Sequence, residues 1–210
     1  MVRRRRFNAP GTRDLTRGRQ RVVGIIRTEF AHRFTNMNMI LEDLKAQREG
    51  LLALGFWALL VFRFGHARLA IRNKIVRAPW TIVYLILNKL VEIFCGITIG
   101  ASANIGRRLT IEHHGGIVIH GATRMGNDCM IRHGVTIGNS GRSDPFGAPD
   151  IGDRVEIGAG AKILGRIRIG NDAIIGANAV VTRDVPENAV VGGVPARIIR
   201  MRSTPEPGQT

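Results

Sequence analysis

A six-residue period runs through the middle of the chain and narrows its folding options more than any other feature. An aliphatic residue returns at Ile99, Ile105 and Ile111, then at Ile119, Met125, Ile131 and Ile137, and then at Ile151, Ile157, Ile163, Ile169, Ile175 and Val181. Eight of these thirteen anchors are followed directly by glycine, in a chain with 26 glycines among 210 residues, so the pairing is a pattern. Six matches neither the 3.6-residue turn of a helix nor the plain alternation of one strand. It matches a coil of three short strands joined by turns, with stacked coils burying the anchors in one column. Isoleucine suits such a pleated interior, and a glycine beside it is expected to ease the bend at each corner. Coils about 4.8 Å apart pair their backbones with the coils above and below, so only the two ends need caps. The fold class that follows is an all-β solenoid with a short N-terminal α-helical segment.

The flanking segments divide accordingly into a basic tail over 1–36, a helical segment over 37–95, the solenoid over 96–200 and a short tail over 201–210. The net charge is +15, and residues 1–36 hold ten arginines against Asp14 and Glu29, which is 10 − 2 = +8 of it. Such a run is a solvated extension, or it attracts an anionic surface; nucleic acid is not the expected partner. No apolar core follows the arginines, so a secretory signal is not expected, and two cysteines, Cys95 and Cys129, build no disulfide framework. A cytoplasmic setting follows. Residues 51–62 are uninterruptedly apolar but too short to span a bilayer, and residues 78–94 are interrupted by Asn88, Lys89 and Glu92. These segments are expected to be buried helices capping the first coil. The competing reading is a peripheral membrane contact through Trp57 and Trp80, flanked by Arg63, Arg68, Arg72 and Arg77.

The array is interrupted twice, and interruptions in repeats are where function gathers. Ile111 and Ile119 stand eight residues apart, which pushes out a bulge over Glu112–Gly116, and Ile137 and Ile151 stand fourteen apart. His113 and His133 each lie two places after an anchor and one full coil apart, so both imidazoles should meet at one corner. Imidazole titrates near neutrality, which suits general acid–base work; hydrogen bonding of the turns is the plainer alternative. His113, His114, His120 and His133 lack cysteine or carboxylate partners at metal-motif spacing, so no metal is expected.

The runs IGRRLTIEHHGGIVI, IRHGVTIGN, PDIGDRVEIGAGAKILGRIRIG and IIGANAVVTRDVPENAVVGGVPARIIR, with VFRFGHARL upstream, resemble the hexapeptide-repeat acyltransferases of the serine acetyltransferase type. The resemblance implies a left-handed parallel β-helix, a homotrimer with active sites between neighbouring chains, and acetyl-CoA as acyl donor to a hydroxyl. It places His113 as the catalytic base, with the acidic Glu112 before it; His133 joins these two as a candidate from the coil spacing. It places Gly138, Asn139, Ala159 and Ala177 along the pantetheine arm, and Thr182, Arg183 and Arg197 at the CoA phosphates. Four positions depart from the serine-specific pattern, one of them Glu112, where the family has aspartate before the base. The aspartate that supports the base is Thr98 here, and the Arg-His pair that grips the amino acid is Gly147 and Ala148. Because of these departures, and because of the short helical segment, the chain is most similar in pattern to the colanic acid biosynthesis acetyltransferases. That implies a sugar hydroxyl in exopolysaccharide or capsule synthesis as acceptor. L-serine is the second acceptor considered, and a non-catalytic β-helical scaffold with a recruiting tail is the third reading.

Overall fold

A computed structural model describes residues 38–141 and 144–203; the basic tail anticipated over 1–36 lies outside the described residues, as does 204–210. Three helices come first: α1 (38–46), α2 (Leu54–Ala67) and α3 (Lys74–Cys95). Asn73 caps α3, its side chain accepting from the N–H groups of Ile75 and Val76, and Gly96 ends the helix in a left-handed conformation at φ 63°.

Five coils follow. The first is β1 (Ile97–Ile99), β2 (Asn104–Ile105) and β3 (Thr110–Glu112), and the second is β4 (Ile117–Ile119), β5 (Arg124–Met125) and β6 (Met130–Arg132). The third is β7 (Thr136–Gly138), β8 (Asp150–Ile151) and β9 (Glu156–Ile157), and the fourth is β10 (Lys162–Leu164), β11 (Arg168–Ile169) and β12 (Ile174–Ile175). The fifth has β13 (Val180–Val181), a single bridge from Val185 to Ile169, and β14 (Ala189–Gly192). Parallel pairing stacks these strands into three faces: β1-β4-β7-β10-β13 (face A), β2-β5-β8-β11 (face B) and β3-β6-β9-β12-β14 (face C). At the far end β15 (Arg197–Met201) turns back antiparallel to β14 and closes face C.

All thirteen anchors are buried, which establishes the column inferred from their period. A second inward column, including Ala103, Leu109, Cys129, Val135, Ala161 and Ala173, fills the corners and was not apparent from the period alone. The role expected for the paired glycines needs correcting. Among the described residues, no glycine directly after an anchor has positive φ. These glycines are required by close approach between coils: a Cβ on Gly100 would lie 2.5 Å from the Gly121 Cα, and one on Gly106 would lie 2.4 Å from the Gly126 carbonyl oxygen. The sharp left-handed bends fall three places after an inward aliphatic residue, an anchor in every case but the last, where it is Val185: they are Arg108, Asp128, Arg154, Asp172, Asn178 and Asn188. Their Asp and Asn content reflects the tolerance of short polar side chains for that conformation.

The open edge of the first coil is capped by side chains that imitate a missing strand. Gln47 donates to the Leu109 carbonyl at 2.8 Å and accepts from the Ile111 N–H at 3.2 Å. Arg63 donates to the Ile105 carbonyl at 2.7 Å and to the Gly106 carbonyl, while its Nε pairs with Asp43 at 2.9 Å. Asp43 in turn accepts from the Arg108 N–H at 2.9 Å. Each contact satisfies a backbone group that would otherwise be buried without a partner. The lipid-flanking role considered for Arg63 is therefore overturned: it is buried in an ion pair inside the cap.

The helices differ from expectation in a second respect. α2 is buried as anticipated, with Phe56, Leu59 and Phe62 in the interior, and Gly55 so close to the coil that a Cβ would lie 2.6 Å from the Ile111 Cβ. α3 is not buried. Only Tyr84, Val91 and Cys95 are enclosed, and Ile75, Ile82, Ile86, Ile93 and Phe94 are exposed. A single stripe, 77-81-84-88-91-95, suffices to pack a helix against one neighbour, and the apolar residues off that stripe stay outside.

Candidate functional site

Coil register fixes which candidate residues share an edge of the prism. Glu112 lies opposite Arg132, Ile131 opposite Ile157, and Ile157 opposite Ile175. His113, His133, Ala159 and Ala177 therefore form one line down the edge between faces C and A, and the line continues to Gly193. The two imidazoles meet as the spacing predicts, with ring centroids 6.1 Å apart in an edge-to-face arrangement at 74°. From the His113 coil to the last coil is four steps of about 4.8 Å, or roughly 19 Å. Ala177 and Gly193 leave the lower edge open, and the exposed Arg197, paired with Gly192 in register, stands at its far end.

Within this line the backbone at His113 is distinctive. Seven described non-glycine residues have positive φ, and six are the regular corner residues three places after an aliphatic inward residue. His113, at φ 58°, is two places after its anchor. The eight-residue spacing of the bulge causes this shift, since Gly115 and Gly116 take left-handed conformations as well and Gly115 accepts from the Gly134 N–H at 2.8 Å. A left-handed conformation costs a non-glycine residue about 1–2 kcal/mol, and such outliers concentrate where a side chain must be aimed. Here the result is an exposed imidazole pointing off the edge.

Glu112 is a β3 residue whose carboxylate accepts from Arg132 Nε at 3.0 Å, so it is held by the neighbouring coil. Thr98 lies in the middle of β1 opposite Val118. Lys162, which sequence reasoning missed, donates to the Gly134 carbonyl and, at 3.1 Å, to Thr136 Oγ1, which fixes the corner directly after His133. Its place before an anchor put it on face A, but only the stacking of coils shows which carbonyl it reaches.

Gly138, Asn139, Thr182 and Arg183 occupy a different edge. Ile163 is opposite both Ile137 and Val181, which aligns Gly138, Leu164 and Thr182 along the edge between faces A and B. Face A thus separates the two groups of candidate donor-binding residues in one chain. From this edge the long excursion turns over face B, where Asp144 receives both Arg166 hydrogen bonds at 3.2 Å. Asn139 ties its base by donating to the Gly141 carbonyl at 3.2 Å. An open groove under the excursion is lined by Ser102, Asn104, Arg124, Phe146, Ala148 and Arg168, among others. No sequence signal marks this groove, because its walls come from all five coils and a loop.

Residues 149–183 match the family model "Bacterial transferase hexapeptide (six repeats)". The chain is 50% identical over 117 residues to a serine acetyltransferase of Mycobacterium tuberculosis, covering 56% of this chain and 51% of that protein. It is 40% identical over 149 residues to a serine acetyltransferase of Helicobacter pylori, covering 71% of this chain and 83% of that protein. It thus spans about half of the first relative and most of the second. A solved serine acetyltransferase in complex with CoA superposes with a TM-score of 0.67 at 32% identity, covering 84% of this chain and 74% of that one. These similarities overturn the colanic acid branch and the exopolysaccharide sugar as acceptor: the identity across the coils outweighs the short helical segment and the departures at Thr98, Gly147 and Ala148.

Proposed function

The chain belongs to the serine acetyltransferase family, and from that premise we propose that it transfers acetyl from acetyl-CoA to the hydroxyl of L-serine, with His113 as general base. The observation that carries the reading is the left-handed His113 at the bulge, exposed beside His133 at the head of an edge built of small residues. Acetyl-CoA brings the activated thioester. His113 takes the proton of the serine hydroxyl as that oxygen bonds to the thioester carbonyl carbon, because a neutral alcohol is a weak nucleophile. When the C–S bond breaks, the imidazolium returns the proton to the departing sulfur. His133 and the Lys162-braced corner hold the His113 ring from one side.

The edge below His113 suits an extended pantetheine arm, with Arg197 placed for phosphate at its end. Gly138, Asn139, Thr182 and Arg183 lie across face A, so one donor molecule reaches both groups only between two copies of the chain. A homotrimer with sites at its clefts satisfies this. Gly147 and Ala148 offer no charge to the amino acid's carboxylate; in the face B groove Arg166 is held by Asp144, which leaves Arg124 and Arg168 to pair with it.

The test is His113→Ala, assayed by thiol release from acetyl-CoA with L-serine as acceptor. Turnover should fall by about 10²- to 10⁴-fold, the usual worth of a positioned base. Solution mass and CoA affinity should stay unchanged. Wild-type turnover in this variant would remove His113 from the chemistry.

A further inference from the structure

The helical segment carries a second surface that acetyl transfer does not use. Around α3, the stripe 77-81-84-88-91-95 packs inward, and the opposite side presents Ile75, Ile82, Val83, Ile86, Leu90 and Ile93, all exposed. Ile75 is 84% exposed and Ile93 66%, values that a soluble helix rarely shows in a contiguous apolar band. The helix is 22 residues long, about 33 Å at 1.5 Å per residue, so the band is long as well as wide.

Charge around the first part of the band has one sign, and the one acid of α3, Glu92, is paired with Lys89. Residues 50–91 contain Arg63, Arg68, Arg72, Lys74, Arg77 and Lys89 and no aspartate or glutamate. Arg63 is consumed inside the cap, and Lys89 pairs with Glu92 at 2.6 Å. Arg72 and Lys74 remain exposed at the start of α3, beside the half-buried Arg77, while Arg68 lies 4.4 Å over the Tyr84 ring. A second copy would bring the same excess of cations over residues 50–91, whereas an anionic lipid surface complements both the cations and the apolar band. The helix is also pinned sideways. Tyr84, Val91 and Cys95 belong to the core, and a Cβ on Gly65 of α2 would lie 2.1 Å from the Tyr84 ring. A helix held along its length and running through Gly96 straight into β1 lies in an interface and does not cross it.

We propose that the outer face of α3, with Arg72 and Lys74 at its start, docks this protein on the surface of an anionic bilayer. Trp80, on the flank of the band and edge-to-face with Phe64 at 6.0 Å, then sits at headgroup level. This inference does not depend on the acceptor or on the base.

The experiment uses the full chain carrying Trp57→Phe, which leaves Trp80 as its one tryptophan, and vesicles of phosphatidylcholine with or without about 30% phosphatidylglycerol. With the anionic vesicles, Trp80 emission should shift to the blue and be quenched by brominated acyl chains; with phosphatidylcholine alone it should not. Adding Ile86→Glu and Leu90→Glu should weaken vesicle partition roughly tenfold or more, with thermal stability and solution mass unchanged. The ten arginines of residues 1–36 are present throughout, so vesicle binding that survives the double change comes from them and overturns the proposal. Failure of the parent protein to bind anionic vesicles overturns it. A drop in solution mass on making the double change also does, because the face would then have held another copy.

Discussion

Replacing Arg63 with methionine tests whether the helical cap and the solenoid fold as one unit. Arg63 is 6% exposed and Asp43 1%, and the guanidinium joins Asp43 to the carbonyls of Ile105 and Gly106. Methionine keeps most of the aliphatic stem but removes every donor, leaving a buried carboxylate whose remaining described partner is the Arg108 N–H. Breaking one partner of a buried pair costs about 3–5 kcal/mol, most of it the cost of the stranded charge. At about 2–4 °C per kcal/mol for a domain of this size, the melting temperature should fall by roughly 6–20 °C. Arg63→Met combined with Asp43→Asn keeps an oxygen for the Arg108 N–H and removes the charge, so it should recover about 1 kcal/mol or more. Calorimetry of wild type, both single variants and the double variant closes the cycle. A fall of less than about 2 °C in Arg63→Met would refute the reasoning, since the cap would then hold without its ion pair.

Two further outcomes follow from the titrating groups. Cys129 is buried, and burial pushes its thiol up to about 11; burial raises the Cys95 thiol as well. Both should resist iodoacetamide at pH 8 in the native protein and react once urea exposes them; alkylation of the native protein at the unfolded rate would refute this. The hydrogen bonds from Arg108 and Arg154 hold the Asp128 and Asp172 carboxyls below the ordinary carboxylate range. Their contribution to stability is therefore present above the unfolded-state value and is lost as pH falls through the lower folded-state value. The urea midpoint of Asp172→Asn should fall below wild type at pH 7 and approach it in acid; an equal deficit at both would contradict the assignment.

Much of the site was legible in the chain because a solenoid turns sequence spacing directly into geometry. A fixed period decides which residues stack, so the separation of His113 and His133 placed their rings together before any coordinates did. The eight-residue gap after Ile111 announced a bulge at the same corner. Spacing could not show that the bulge moves the left-handed bend onto His113 itself, because that follows from how Gly115 and Gly116 pair with the coil beneath.

The sequence by itself determined the inward column, the places where the coil breaks, and the need for a cap at each end, because these depend on a repeat that each coil satisfies locally. The tertiary structure alone decided what the cap is made of and what it leaves uncovered. Gln47, Asp43 and Arg63 find backbone groups more than forty residues away, and no periodicity marks such a match. The same holds for α3: its composition is that of a core helix, and only the size of the face that α2 and the first coil offer leaves the rest of it facing outward.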